Sequence, residues 1–173
     1  LRGFKMAKIK IFKVGRFKTN CYLVSNDEEN RFFLVDPGGK IKNFDVSSYK
    51  IDYILLTHGH FDHISNVAEY KELTGAKVVI SKAEEDFIND GSLNLSSRFM
   101  KAHKLKSFEA DILCSEGDEI PFAGGAIKVL DTPGHTKGGV CYIFENNIFS
   151  GDTLFKGAYG ATSFPTGSEA ELE

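Results

Sequence analysis

The sequence lacks the features that mark membrane, secreted and nucleic-acid-binding proteins. No apolar run approaches the roughly 20 residues that a membrane-spanning helix needs, and the first residues contain no signal-peptide apolar core. The net charge is only -3, and the lysines form no clustered basic face of the kind that a nucleic-acid binder shows. These absences predict a cytoplasmic protein that binds neither membranes nor nucleic acids.

Cysteine chemistry is equally sparse. There are three cysteines, an odd number, and Cys21, Cys114 and Cys141 lie among apolar neighbours without the close spacing of a zinc ribbon. This setting predicts buried, reduced thiols. No Ser-His or Cys-His arrangement identifies a protein nucleophile, so hydrolytic chemistry would need another source of nucleophile.

The remaining composition is that of a globular domain. With 173 residues, 42% of them hydrophobic, the chain is long enough for one domain over 1–173 with a substantial core. Short apolar runs predict strands on both sides of a central region in which helical spacing follows Asp62 and stops at Gly75. Ser81 and Glu84 form a candidate capping box for a second helix. The predicted class is α/β (α+β), with two sheets and helices outside them.

The most informative segment is the run Thr57-His58-Gly59-His60-Phe61-Asp62-His63. It holds three of the five histidines and one aspartate, which together offer four metal-ligand side chains. A strand that ends at His58 and a helix that starts near Asp62 would direct all four to one point. The alternative is a set of solvated histidines on a loop, which is also the interpretation that we favour for His103.

Two further turns carry the same residue types. His135 lies in the turn Asp131-Thr132-Pro133-Gly134-His135-Thr136, and Asp152 lies in the turn Ser150-Gly151-Asp152-Thr153. Each turn directly follows a predicted strand, and metal ligands are often gathered on such loops. Imidazole and carboxylate without thiolate suit Zn²⁺, and also Fe²⁺ or Mn²⁺.

With these motifs the chain resembles the metallo-β-lactamase-fold hydrolases, and most of all the small bacterial enzymes related to glyoxalase II, the hydroxyacylglutathione hydrolases. The matching segments stand in family order over nearly the whole chain: Asn20-Cys21-Tyr22, Leu34-Val35-Asp36-Pro37-Gly38, the 57–63 motif, Thr132-Pro133-Gly134-His135-Thr136 and Gly151-Asp152-Thr153-Leu154-Phe155. The resemblance implies an αββα sandwich with one or two metal ions in a cleft at one edge.

The resemblance also assigns roles to individual residues. The implied first metal site consists of His58, His60 and His135, the second of Asp62 and His63, and Asp152 is the implied bridging ligand. For Asp36, two roles stay open: a carboxylate that fixes a ligating imidazole, or a cap for its own turn. Lys156 and Tyr159 are candidate substrate contacts.

The implied reaction is hydrolysis of a small acyl compound. Two cations can lower the pKa of a bridging water from about 15.7 to about 7, which yields hydroxide without a protein nucleophile. Asp62 would orient that hydroxide. A thiol leaves readily because its pKa is about 8.5, whereas an amine usually needs a general acid, so a thioester is favoured. Ala161 and Ser163 stand where close bacterial relatives have Arg and Asp, which argues against glutathione as the carrier.

The family continues for several tens of residues beyond a point like Glu173, and this extension normally supplies one more histidine to the second metal site. We therefore expect a well-held first metal ion and a labile or absent second one, unless another chain donates a ligand. The missing strand and helix would expose apolar surface and favour a homo-oligomer or a domain-swapped dimer. Two alternatives remain, an iron-dependent persulfide dioxygenase of the same fold and a domain with little activity.

Overall fold

A computed structural model describes residues 6–26, 30–100 and 105–173. Within these residues, ten strands and four short α-helices follow one another. The strands are β1 (Lys8–Val14), β2 (Thr19–Ser25), β3 (Phe32–Val35), β4 (Ile51–Leu55), β5 (Lys77–Ser81), β6 (Ile112–Cys114), β7 (Glu119–Phe122), β8 (Gly125–Asp131), β9 (Val140–Phe144) and β10 (Asn147–Phe149). The helices are α1 (Phe61–Ile64), α2 (Val67–Thr74), α3 (Ser96–Phe99) and α4 (Glu169–Leu172), with 3₁₀ helices at Val46–Ser48 and Lys82–Ile88. The predicted hairpin connection 26–30 and His103 fall partly or wholly outside the described residues.

The strands form two sheets, as predicted. The first has the order β1-β2-β3-β4-β5-β6, in which β3 to β6 run parallel to one another. The second is antiparallel with the order β10-β9-β8-β7. Because β3, β4 and β5 are parallel, their carboxyl ends lie at the same edge of the first sheet.

Alternation along the strands divides the core into two layers. Phe33 and Val35 point between the sheets, where they join Ile127 and Tyr142 from the second sheet. Leu34 points to the opposite face, where a second apolar cluster includes side chains of α2. Helices are few, and they leave Leu130 and Ile148 of the second sheet 38% and 57% exposed. Self-association through such side chains stays a prediction.

Three local predictions were wrong in detail. The helix predicted after Asp62 is broken at Asn66, whose N–H donates to the carbonyl of Pro37 at 3.0 Å instead of continuing the helix. Leu73 fits the helical spacing of apolar residues between Asp62 and Gly75, which predicts a buried side chain, but it is 52% exposed. The segment β7 was missed because Pro121 interrupts it, and the sheet accommodates this proline because β7 is an edge strand. Gly75 does end α2, in the left-handed conformation that glycine favours.

No helix in the three described stretches is long and apolar enough to span a bilayer.

All three cysteines are free and buried, which confirms the prediction of reduced thiols. Burial raises the pKa of Cys114 to about 11, and it also raises the pKa values of Cys21 and Cys141. Because thiolate is the reactive form, we expect none of the three to react with Ellman's reagent at pH 8 in the native protein. All three should react after denaturation. Rapid labelling of the folded chain would contradict this packing.

Candidate metal centre

The predicted site residues lie at the edge where several strands of both sheets end. Asp36 directly follows β3, and the 57–63 motif begins two residues after β4. From the second sheet, His135 follows β8 and Asp152 follows β10. The fold therefore brings together side chains that are as many as 116 positions apart in the sequence.

Three imidazoles form the first group. Nδ1 of His60 lies 3.1 Å from Nε2 of His58 and 3.0 Å from Nε2 of His135, and all three side chains are buried. A tetrahedral zinc ion with Zn–N bonds of about 2.0–2.1 Å separates its nitrogen ligands by about 3.3–3.4 Å. The donor set and spacing therefore fit a metal ion, and these three residues could hold one.

The second ring nitrogen of two of these histidines has its own partner. Nδ1 of His58 lies 3.2 Å from Oγ1 of Thr57, and Nδ1 of His135 lies 2.7 Å from the carbonyl oxygen of Ala161. With Nδ1 as the donor in both contacts, each Nε2 keeps its lone pair for the centre of the cluster. His60 is turned the other way: its Nδ1 faces the cluster, and its buried Nε2 has no hydrogen-bond partner among the described residues.

Asp36 supports two of the imidazoles at once. Its Oδ2 lies 2.9 Å from Nδ1 of His63 and accepts from Oγ1 of Thr57 at 2.7 Å, while its Oδ1 accepts from the N–H of Thr57 at 2.8 Å. It thus contacts His63 directly and reaches His58 through Thr57. Of the two roles that the sequence left open for Asp36, this geometry supports the one that fixes ligand imidazoles.

A second group combines His58, His63 and Asp152, whose ligand atoms lie within 4.8 Å of one another. Nε2 of His63 is 3.2 Å from Oδ1 of Asp152, and Oδ2 of Asp152 is 3.5 Å from Nε2 of His135. Asp152 therefore lies between the two groups, where a bridging ligand would be. The resemblance implied Asp62 as the partner of His63 in this group, whereas by distance His58 is the third member.

Asp62 lies at the margin of this second group. Its Oδ2 is 3.8 Å from Nε2 of His63, and it accepts a hydrogen bond from Oγ1 of Thr19 at 3.1 Å. This hydrogen bond from Thr19 holds the Asp62 carboxylate beside the cluster. The side chain of Asp62 is 22% exposed, so it faces the opening of the site.

The charge states of the cluster suit a cation. Burial, together with the neighbouring imidazoles, lowers the pKa of His58 far below its ordinary value and that of His60 to about 3. Burial also lowers the pKa of His135 against the opposing charge of Asp152. Neutral imidazole is the form that binds metal, so these three side chains are in ligand form at neutral pH.

His63 behaves differently. Burial works against its charge, but the carboxylates of Asp36 and Asp152 outweigh burial and raise its pKa well above the ordinary value. For Asp152, burial is likewise outweighed, and the contact with His63 lowers its pKa. A positive charge is thus stabilised between the buried carboxylate of Asp36 and the half-buried carboxylate of Asp152, which is the electrostatic setting of a cation site.

The two candidate substrate contacts are not brought to the cluster. Lys156 and Tyr159 are exposed in the turn between Asp152 and Gly160, and no hydrogen bond or ring contact in the described residues joins either to a histidine. Gly160, in contrast, lies against the site. A Cβ there would be 2.1 Å from the carbonyl oxygen of Asp152 and 2.8 Å from Nδ1 of His135.

Three contributions to the site were missed from the sequence. Thr19 lies outside every predicted strand and motif, and Ala161 was considered only for its side chain although its carbonyl supports His135. Glu84 was assigned to a capping box with Ser81. Ser81 does cap the 3₁₀ helix through Ala83 N–H, but the Glu84 carboxylate accepts from Gly59 and Gly138. Nothing in the sequence around Glu84, which is followed by Glu85 and Asp86, signalled this contact.

An aromatic cluster borders the site beside Asp62. The rings of Phe61 and Phe99 are stacked with centroids 5.6 Å apart, and Phe17 contacts each of them edge-on at 5.7 Å. Arg16 and Arg98 lie over the rings of their neighbours Phe17 and Phe99. Phe17 is 50% exposed, so this wall presents both apolar and cationic surface.

Comparison with known proteins places this fold and site in a defined class. The profile of the metallo-beta-lactamase superfamily matches residues 14–172, and the chain belongs to this superfamily of metallo-hydrolases. The αββα class predicted from the sequence is therefore confirmed, with few helices.

Particular relatives narrow the position within the superfamily. Hydroxyacylglutathione hydrolase GloC from Haemophilus influenzae is 32% identical over 171 residues, covering 95% of this chain and 80% of that protein. The crystal structure of BLEG-1 B3 metallo-beta-lactamase has a TM-score of 0.84 at 30% identity, covering 95% of this chain and 81% of that one. TTHA1623 in a di-iron-bound form has a TM-score of 0.78 at 27% identity, covering 94% and 81%. The predicted resemblance to glyoxalase II-like proteins is confirmed at about 30% identity.

Proposed function

We propose that this protein is a metal-dependent hydrolase that cleaves a thioester or a related acyl compound with metal-activated water. The observation that carries the proposal is the convergence of four imidazoles and Asp152 at one point. A bound metal ion supplies Lewis acidity and lowers the pKa of its water to about 7. His58, His60 and His135 would hold the first ion, and His63 and Asp152, with His58 or Asp62, the second.

Several hydroxyl and thiol groups near the site are unsuited to act as the nucleophile, which supports water in that role. Thr57 donates its Oγ1–H to Asp36, Ser150 donates to the carbonyl of Leu154, and Oγ1 of Thr153 pairs with Oγ1 of Thr132. Cys141, close to Thr132, is buried with a raised pKa. Each group is therefore occupied in the loop structure or held in its unreactive form.

Asp62 is the side chain best placed to orient and deprotonate the nucleophilic water. It borders the second group and is partly open to solvent, and Thr19 leaves its carboxylate free to accept another hydrogen bond. A carboxylate here can orient a water and accept its proton. Among the described residues no comparable acid contacts the cluster to protonate a leaving group, because Lys156 and Tyr159 are exposed and make no contact with its histidines.

The leaving-group argument therefore favours a thioester over an amide. A thiolate departs near neutrality without a general acid, since thiol pKa values lie near about 8.5. The hydrolase name of the relative from Haemophilus influenzae supports the same class of substrate. The aromatic wall beside Asp62 supports an acyl compound with an apolar part, and its two arginines would suit a negatively charged carrier.

A substrate panel tests the proposal. The metal-loaded protein is assayed with S-lactoylglutathione, acetyl-coenzyme A, a lactone and a cephalosporin, and bound zinc, iron and manganese are measured in the same sample. We expect thioester cleavage to be fastest. Incubation with EDTA should abolish it, and adding metal back should restore it. Thioester cleavage that survives complete metal removal would contradict the proposal.

The same sample separates the alternatives. Oxygen consumption with glutathione persulfide by iron-loaded protein, without thioester cleavage, would establish the dioxygenase instead. Preferred cleavage of the cephalosporin would mean that the substrate is a β-lactam and not an acyl thioester. If no compound is turned over at full metal content, the protein is a metal-binding domain without this activity.

A further inference from the structure

A buried carboxylate lies between the two loops that carry the first group of imidazoles. Glu84 is 0% exposed and belongs to the 3₁₀ helix that follows β5. Its Oε2 accepts from the N–H of Gly59 at 2.9 Å, and its Oε1 accepts from the N–H of Gly138 at 2.9 Å. Gly59 stands between His58 and His60, and Gly138 stands three residues after His135.

Both contacts depend on glycine. A Cβ on Gly59 would lie 2.3 Å from Cβ of Phe87, and a Cβ on Gly138 would lie 2.6 Å from Cβ of Ala83. The two loops therefore pack directly on the 3₁₀ helix, and only glycine lets their N–H groups reach one carboxylate. Phe87 of the same helix also contacts the ring of His60, with centroids 6.1 Å apart.

The two loops start from different sheets, so their separation is not fixed by one ladder of hydrogen bonds. The loop with His58 and His60 follows β4 of the first sheet, and the loop with His135 follows β8 of the second. A backbone bond from Val140 N–H to the Thr57 carbonyl, 2.8 Å long, joins the loops at one point. Glu84 joins them at another: it contacts the first loop between His58 and His60, and the second loop three residues after His135.

Glu84 is not itself placed as a ligand. Both of its oxygens are directed at backbone N–H groups, and neither is within hydrogen-bond distance of a ring nitrogen. Burial raises its pKa, while the side chain of Thr136, the two N–H donors and Lys137 act in the opposite direction. A buried acid is costly, and the N–H groups of Gly59 and Gly138 compensate for that cost.

We propose that Glu84 is a positioning residue that holds the His58–His60 loop and the His135 loop at the separation that a metal ion requires. Its loss loosens the first site and lowers metal affinity, while the Val140–Thr57 bond and the inter-sheet core keep the chain folded. This inference rests on the metal-binding part of the proposed function and is independent of the substrate. It concerns a residue to which sequence reasoning gave a purely local capping role.

The test compares Glu84→Gln with the matched control Glu85→Gln, which changes the exposed neighbour on the same helix. Zinc affinity is measured by competition with a chromophoric chelator, and the Co²⁺-loaded proteins are compared by their absorption spectra. Amide hydrogen exchange of Gly59 and Gly138 is followed in the metal-free chains. We expect Glu84→Gln to weaken zinc binding by about 10- to 100-fold, to alter the Co²⁺ spectrum and to accelerate exchange at both glycines. Glu85→Gln should match the parent chain.

A second variant approaches the same contact from the other loop. Gly138→Ala should push that loop away from the 3₁₀ helix and produce the same loss of zinc affinity. If Glu84→Gln does not fold, this variant provides the test. Unchanged zinc affinity and an unchanged Co²⁺ spectrum in the folded variant would overturn the inference, whatever happens to thermal stability. His58→Ala serves as the reference: if it alone loses the metal, only the role of Glu84 is wrong, and if it retains the metal, the proposed site is wrong as well.

Discussion

His58→Ala is expected to remove the bound metal and to lower kcat/KM by at least about a thousandfold, which corresponds to about 4 kcal/mol of transition-state stabilisation. His58 is the one residue shared by both candidate metal groups among the described residues. Its Nε2 faces His60, and its ring centroid lies 4.1 Å from that of His63. Removing this imidazole therefore deprives both groups of a ligand.

Metal content per chain, measured by elemental analysis after exhaustive dialysis, is the direct readout. His103→Ala is the control, because it removes a histidine that lies outside every motif of the site. Circular dichroism shows whether the variant is folded, since the side chain is buried and its loss leaves space. A folded His58→Ala protein with the metal content of the parent would contradict the assignment of this residue.

Asp36→Asn should have the second largest effect, although Asp36 touches no metal in this account. The amide can present only one oxygen, so an NH₂ group must face either Thr57 N–H or the pair formed by Thr57 Oγ1 and His63 Nδ1. Both supported imidazoles then lose orientation. We expect metal affinity to fall by about 10- to 100-fold, as is typical when the partner of a ligating histidine is removed.

The matched control for this prediction is Asp45→Asn. Asp45 is an exposed aspartate that caps its own turn by accepting from Ser47 and Ser48, so it performs the role that was the alternative for Asp36. Thr57→Val separates the contributions of the two imidazoles to metal affinity, because it removes the link to His58 and leaves the contact between Asp36 and His63. Equal metal affinity in Asp36→Asn and Asp45→Asn would mean that Asp36 is only a turn cap.

The convergence of the candidate metal ligands could be predicted from the sequence because each lies in a short motif at the end of a strand. The order of strands and turns was enough to bring His135 and Asp152 to the 57–63 motif, and the structure does so. The family resemblance assigned Asp62 to the second group. It could not reveal that the hydroxyl of Thr19, 43 positions away, holds that carboxylate to one side.

The supporting contacts could not be predicted in the same way. Glu84 accepts from backbone groups of two distant loops, and backbone donors leave no trace in side-chain identity. The Ala161 carbonyl is a similar case, because any residue at that position offers the same oxygen to His135. The break between α1 and α2 was hidden because it depends on Pro37, which approaches Asn66 only in the folded chain.

The position of the turn between β9 and β10 could not be predicted from its local sequence either. The adjacent asparagines Asn146 and Asn147 favour a tight turn at their own position, but Asn147 pairs with Phe144, and the turn consists of Glu145 and Asn146. Glu145 adopts the positive φ of 52° that the Asn pair was expected to supply. Pairing of the flanking strands determined the register, and the local preference of asparagine did not override it.

Anomalous diffraction at the absorption edge of the bound metal tests the central claim most directly. We predict a peak about 2.0–2.1 Å from Nε2 of His58, Nδ1 of His60 and Nε2 of His135, with Asp152 on the side towards His63. The opposite ring nitrogens of His58 and His135 should keep their contacts with Thr57 and Ala161. A metal bound elsewhere on the chain, or no peak at this cluster in metal-loaded and active protein, would contradict the account.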